Sequence, residues 1–411
     1  MKTAVAILLA SAVVTATAAA ANDALLEVRI TESMEGIDAE VDVDKDDPYG
    51  NGIRIASGDD RFSIHAWLRA QFRYSDPFDS DPRTPAAFDE VPGNDTEIRR
   101  GRIKMEGELG SPALSFYYEQ ELTGDRPLLD LRFDAELGGA WYLRAGQYKI
   151  LYNRERVDSS GKQTFAERSI STYAFTLDRQ RGIGIARHFA AGTSRDQWLM
   201  LGIYEGDSRD PGPRGDAPML VARWQWQFLG EGLPFSQSDI KFRDVPAASF
   251  ALAAATVEGP YTRYSSSGGG QLDSFEQGSD ERYELRQWLQ EFALHYDGYS
   301  IQQEYHVKRI EDRDIGGTST LRGGYLQAAK AWQTNWLGPE NPFELAVRVA
   351  SVDWEDTPAD RQQREFTLGA NLYFEGHDNK LTMDISRLEL DYVGADSRAD
   401  TRLRLQWDVS F

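Results

Sequence analysis

The chain has 411 residues, 66 of them acidic and 45 basic, with a formal net charge of −21 and no cysteine. The acidic balance argues against a nucleic-acid partner. The missing thiols exclude a disulfide scaffold, a thiolate metal site and a cysteine nucleophile.

Lys2, the apolar residues 4–14 and the small residues 15–21, with Ala18 and Ala20 in an Ala-x-Ala arrangement, follow the order of a cleaved signal peptide over residues 1–21. The apolar run is shorter than the about 20 residues a membrane helix needs. Lys2 is the one charged residue in that segment, so cleavage takes the net charge from −21 to −22. Residues 22–60 read as an acidic N-terminal periplasmic arm. Asp42, Asp44 and Asp46 resemble the start of a calcium loop. The glycine and closing glutamate of such a loop are missing, with Asp47 and Ile53 standing in their places, so no metal is expected there.

From residue 61 to the end the chain alternates with period two, the signature of strands with one apolar and one polar face. Phe62, Ile64, Ala66, Leu68, Ala70, Phe72 and Tyr74 alternate with Ser63, His65, Trp67, Arg69, Gln71 and Arg73. The pattern returns at Leu129–Leu137, Leu220–Phe228, Ile301–Lys308, Phe366–Phe374 and Arg402–Phe411. Such segments recur about sixteen times, each near the 9–11 residues a tilted strand needs to cross a bilayer. They cover 61–74, 97–109, 113–123, 128–137, 140–150, 182–190, 197–205, 219–228, 249–258, 284–297, 299–310, 321–332, 343–353, 365–375, 380–390 and 401–411.

Tight turns (Gly110–Pro112, Gly138–Gly139, Asp297–Gly298) alternate with long polar segments at 75–96, 151–181, 259–283 and 354–364. Apolar stretches are everywhere broken by charge, so a membrane form must be a closed barrel, which leaves no backbone group unpaired in lipid. The expectation is an all-β, transmembrane antiparallel β-barrel of about 16 strands over residues 61–411, with short periplasmic turns, long extracellular loops and a constriction loop at about 151–181. The aromatic content, ten Trp, 18 Tyr and 19 Phe, suits the girdles of such a barrel. It also suits a secreted carbohydrate-binding β-sandwich, which would be soluble without detergent.

Three motifs carry a resemblance to one family. The first is Gly52-Ile-Arg-Ile-Ala-Ser-Gly-Asp-Asp-Arg-Phe62, leading into Arg69 and Arg73. The second is Ile98-Arg-Arg-Gly-Arg102 with Phe116-Tyr-Tyr-Glu119. The third is Gly146-Gln-Tyr-Lys149 followed by Glu155-Arg156, Thr164-Phe165, Glu167-Arg168, Ala174-Phe175, Asp178-Arg179 and Gly182. In these residues the chain resembles the phosphate- and pyrophosphate-selective porins of the O and P type. The resemblance implies a homotrimer in the bacterial outer membrane, a third loop folded into the lumen, and arginines along the route of a small inorganic anion.

An anion path needs basic groups that replace lost hydration without trapping the ion. The alternation places Arg69, Arg73, Arg100, Arg102, Lys104, Arg132 and Arg223 on inward faces, and the loop adds Lys149, Arg154, Arg156, Lys162, Arg168, Arg179 and Arg181. A guanidinium grips phosphate with paired hydrogen bonds. The plainer role for Arg156 and Arg168 is to pair with Glu155, Glu167 and Asp178 and hold the loop. Glu106, Glu108, Asp130, Asp134 and Glu136 also face inward, and a lumen of mixed sign fits a cation-preferring or weakly selective porin. The five histidines (His65, His188, His295, His306, His377) show no metal-binding spacing and no nucleophile elbow is present, so neither an enzyme nor a cofactor is expected.

Overall fold

The computed structural model describes residues 39–42, 52–57, 61–90, 93–124, 127–207, 209, 217–230, 232–265, 268–276, 278–279, 281–334, 341–354, 357 and 360–411. The expected signal peptide lies outside them. Sixteen strands form the wall: β1 (Phe62–Asp76), β2 (Asp95–Leu109), β3 (Leu114–Glu121), β4 (Leu128–Gly138), β5 (Trp141–Lys149), β6 (Arg179–Phe189), β7 (Asp196–Tyr204) and β8 (Met219–Leu229). They continue as β9 (Ala247–Gly259), β10 (Tyr283–Tyr296), β11 (Tyr299–Asp312), β12 (Thr318–Thr334), β13 (Asn341–Asp353), β14 (Arg361–Glu375), β15 (Asn379–Tyr392) and β16 (Arg398–Ser410). Each pairs antiparallel with its neighbours, and β16 returns to β1 through Ser410↔Arg69 to Leu403↔Asp76, closing the barrel. Leu68 and the terminal Phe411 exchange both backbone hydrogen bonds, 2.8 and 3.0 Å.

Side chains follow the alternation. In β8, Met219, Val221, Arg223, Gln225 and Gln227 are buried while Leu220, Ala222 and Trp226 are exposed. In β16, Arg402, Arg404, Gln406, Asp408 and Ser410 point inward. Outward aromatics ring the end that carries the short turns, among them Trp141, Phe189, Trp226, Tyr296, Tyr299, Trp332, Phe374, Trp407 and Phe411. Amphipathic rings at the lipid–water boundary form such girdles, and short turns mark the periplasmic end.

Three features differ from the simple alternation. Leu129 belongs by parity with the outward Leu131 but is buried, because a register shift opposite Glu119 and Gln120 turns it inward. The N-terminal arm is not purely solvated: its strands Ala39–Asp42 and Ile53–Ser57 pair with each other, and Ile53–Ser57 pairs with Ser63–Ala66 of β1. The arm strand covers the edge of β1 at Ser63–Ala66, as barrels require of their edges. Gly52 starts this strand at φ +58°, where a Cβ would stand 2.1 Å from the Ala66 carbonyl oxygen. Finally, the periplasmic connection 230–246 is long and folds inward, burying Leu233, Gln237, Ser238 and Asp239.

Candidate functional site: the constriction

The loop between β5 and β6, residues 150–178, crosses the lumen and carries helices α1 (Arg154–Val157) and α2 (Ser171–Phe175). It ends earlier than expected, because β6 begins at Arg179. Its backbone is seized from the far wall by side chains that the strand alternation aims inward. Glu304 accepts from the backbone N–H of Glu155 at 2.7 Å and from Asn153 Nδ2 at 3.0 Å. Glu365 accepts from Ile170 N at 2.9 Å, and Asp384 from Ala166 N at 2.9 Å. Asn371 and Lys308 donate to the carbonyls of Thr164 (2.7 Å) and Ala174 (2.8 Å). The turn 230–246 meets the loop from the periplasmic side, with Gln237 accepting from Thr164 N at 3.0 Å and Ser238 hydroxyl 3.1 Å from that of Thr164.

Glu291 anchors the loop's base. Its carboxylate accepts from Arg154 N (3.0 Å), Arg154 Nε (3.1 Å), Arg223 Nη1 (3.0 Å) and Arg223 Nη2 (2.7 Å), and all three side chains are buried. With the loop tied to β9–β16, open volume remains against β3–β8. It is a cavity of about 650 Å3 touched by Arg132, Asp134, Arg144, Tyr148, Val157 and Phe235.

Most of the basic groups singled out in the sequence have partners. Arg69 binds Asp408 (2.7 Å) and Ser160 (3.0 Å). The loop tip packs so closely on Arg69 that a Cβ at Gly161 would lie 2.8 Å from its guanidinium. Arg73 reaches Asp79 (2.9 Å) and the Ala166 carbonyl (2.7 Å). Arg100 pairs with Glu167 (3.0 Å), and Arg102 with Glu119 (2.6 Å) and Glu121 (2.8 Å). Arg132 takes Asp134 (2.9 Å), Arg156 takes Asp178, and Arg179 takes Asp130 (2.6 Å) and Glu119 (3.1 Å). Lys149 donates to the carbonyls of Val157 and Asp158 (3.4 and 3.1 Å), and Arg168 to those of Glu155 and Asp158 (both 2.8 Å).

Arg181 departs from the lumen set: β6 places it on the face of the exposed Ile183 and Ile185, ion-paired with Glu205 at 2.7 Å. The sequence pattern assigns its position to the loop; parity counted back from Ile183 and Ile185 places it outward, although Arg179, two residues earlier, still turns inward to Asp130 and Glu119. Lys104 and Lys162 differ from the rest. Among the described residues neither ammonium has a hydrogen bond or ion pair; Lys104 lies 5.7 Å from the Trp67 ring, and Lys162 is exposed at the loop tip.

Arg144, Arg348, Arg361, Lys308, Lys380, Arg402 and Arg404 were not singled out from the sequence, yet all are inward. Parity on β11 and β16 was the available signal for Lys308, Arg402 and Arg404. At the extracellular mouth, Tyr173 lies between the guanidinia of Arg83 (3.9 Å) and Arg263 (4.3 Å), and Asp273 joins Arg83, Arg361 and the Tyr173 hydroxyl.

The family model described as phosphate-selective porin O and P matches residues 74–407. The chain belongs to this family. Solved structures of the same barrel fold include an anion-selective porin from Comamonas acidovorans (11% identity, TM-score 0.52, covering 85% of this chain and 99% of that one). The outer membrane channel DcaP of Acinetobacter baumannii is similar at 10% identity and TM-score 0.53, covering 87% and 99%. OmpT of Vibrio cholerae in its trimer form matches at 10% identity and TM-score 0.53, covering 86% and 100%. No curated protein sequence matches the chain. Family and fold make it an outer-membrane channel.

In this porin Glu167 ties the loop to Arg73 and Arg100 of the wall, and Arg168 donates to carbonyls within the loop. Burial opposes ionisation of Glu167, but Arg100, Arg73 and Arg99 hold its carboxyl well below the usual range. Asp158 differs. Burial pushes it up to about 6 despite Lys149, Arg168 and Lys162 nearby. Its folded value lies above the ordinary one, so the cost of its charge is absent at low pH and grows as pH rises through about 6. Protonation there removes one negative charge beside Lys162. Anion preference should therefore rise between about pH 7.5 and about pH 5, and Asp158→Asn should abolish that step; reversal potentials across this range check it.

Proposed function

We propose that this porin passes small inorganic anions of the phosphate type and that Lys104 and Lys162 are the groups they meet at the constriction. The supporting observation is that, among the described residues, neither ammonium makes a hydrogen bond or ion pair, with Glu119 only across the strand pair from Lys104 and Asp158 near Lys162, while Arg100 is engaged with Glu167 of the loop and Arg102 with Glu119 of the wall. A strongly hydrated anion exchanges part of its shell for such donors, and point charges without fixed partners release it again. Membership of the phosphate-selective family and the shared fold of the anion-selective Comamonas porin support the anion reading. A cation-preferring channel is the second reading, favoured by the net charge of −21.

The test is the zero-current potential of the purified protein in a planar bilayer under a salt gradient, repeated with phosphate. An anion-selective potential with chloride current blocked by phosphate is expected. A cation-selective potential would transfer selection to the acidic groups and remove phosphate. The reading includes export by cleavage after Ala21 and assembly as a homotrimer. Outward small residues on β1–β5 (Ala66, Ala70, Gly101, Ala135, Ala145) permit close approach of a second wall, and light scattering in detergent measures the assembly.

A further inference from the structure

The outer wall carries a row of residues in direct register near the extracellular rim: Ile203, Leu220, Thr256, Arg286, Arg309 and Thr320. Arg286 and Arg309 face each other across β10 and β11, and like charges directly opposed destabilise a sheet. Among the described residues, Arg286 has one ion pair, with Glu284, whose carboxylate also serves Arg313 at 2.8 Å. Arg309, among the described residues, has only the Thr318 hydroxyl at 3.4 Å. Other outward arginines at this end are provided for differently: Arg364 pairs with Glu389 and Asp391, and Arg387 with Glu389.

The next row toward the membrane centre reads Leu201, Ala222, Ala254, Trp288 and Val307. The two alanines between larger side chains leave an apolar groove of about 910 Å3, whose upper lip is Arg286 and Arg309. Trp288 and Tyr305 meet edge to face at 6.0 Å beside it, the arrangement expected where lipid headgroups begin.

We propose that this face holds a phosphate-bearing lipid of the outer leaflet, its acyl chain in the Ala222–Ala254 groove and its phosphate between Arg286 and Arg309. A phosphate oxygen pair can bridge two guanidinia with charge-assisted hydrogen bonds and relieve their mutual repulsion. Glu284 and Glu311, cross-strand neighbours one rung further out, keep the anionic group at the inner rung.

The experiment measures organically extractable phosphorus per protomer after detergent washing. Wild type is expected to retain it. Arg286→Gln with Arg309→Gln should lower retention by about threefold or more. Ala222→Phe with Ala254→Phe, which fills the groove and leaves both charges, should do the same. Arg364→Gln should not. Heat-modifiable migration verifies that each barrel is folded. Equal retention by all variants would overturn the proposal, as would phosphorus found only as free aqueous phosphate. So would a change of oligomeric state in the groove-filled variant, which would make the face a protein interface. The ion selectivity of the lumen does not enter these readouts.

Discussion

Replacing Lys104 and Lys162 together by glutamate should reverse the sign of the zero-current potential, from anion- to cation-preferring, with the barrel intact. A unit charge about 6 Å from a passing monovalent ion contributes about 0.7 kcal/mol in a water-like dielectric. Reversing one sign thus changes the barrier by about 1.4 kcal/mol, about tenfold in relative permeability. Two reversals approach about a hundredfold at low salt, less where the Debye length shrinks below about 10 Å. Among the described residues neither lysine has a hydrogen bond or ion pair to lose, so the exchange breaks no bond that docks the loop, although it sets carboxylates across from Glu119 and near Asp158. Lys104→Gln with Lys162→Gln should give an intermediate potential. A wild-type potential in the double glutamate variant would show that ions pass elsewhere. Arg100→Glu with Arg102→Glu is a poorer probe: it would set new carboxylates against Glu167, Glu119 and Glu121, and a selectivity change there would be mixed with loop release.

The wall was legible in the sequence because a period of two survives in every strand. Even β6, β9 and β12, whose faces are chemically mixed, lie where the alternation put them. It misled at Leu129, where one bulged residue inverts the parity. It does not reach Arg181 unless the strand is known to begin two residues earlier. The loop itself was legible as charged and long, and its arginines as partners of its own acids. Arg156 with Asp178 fits that reading. Most of the loop's bonds run instead to groups far along the chain: Ala166 to Asp384, Thr164 to Asn371, Ile170 to Glu365. Parity says that these side chains point inward; only barrel closure says which loop atom each one meets. The inward fold of 230–246 had no signal, since a polar turn reads the same whether it hangs in water or fills a lumen.

Glu291→Ala should open the channel and destabilise the barrel at once. The substitution leaves Arg154 and Arg223, both buried, without the carboxylate that accepts four hydrogen bonds from them. Removing one partner of a buried ion pair costs about 3–5 kcal/mol, because the remaining charge is neither solvated nor paired. The chain has a cheaper response than unfolding, which is to release α1 and let water reach both guanidinia. Arg223 also donates to the Tyr152 carbonyl at 2.8 Å, and Arg154 packs on the Phe235 ring. The base of the loop and its contact with 230–246 should therefore loosen together. Single-channel conductance should rise severalfold, and the temperature of heat-modified migration should fall. Arg154→Ala in the same chain removes one stranded charge and should recover part of the thermal loss while leaving conductance high. A Glu291→Ala protein with wild-type conductance and wild-type thermal migration would mean that the contacts from Glu304, Glu365 and Asp384 hold the loop without it.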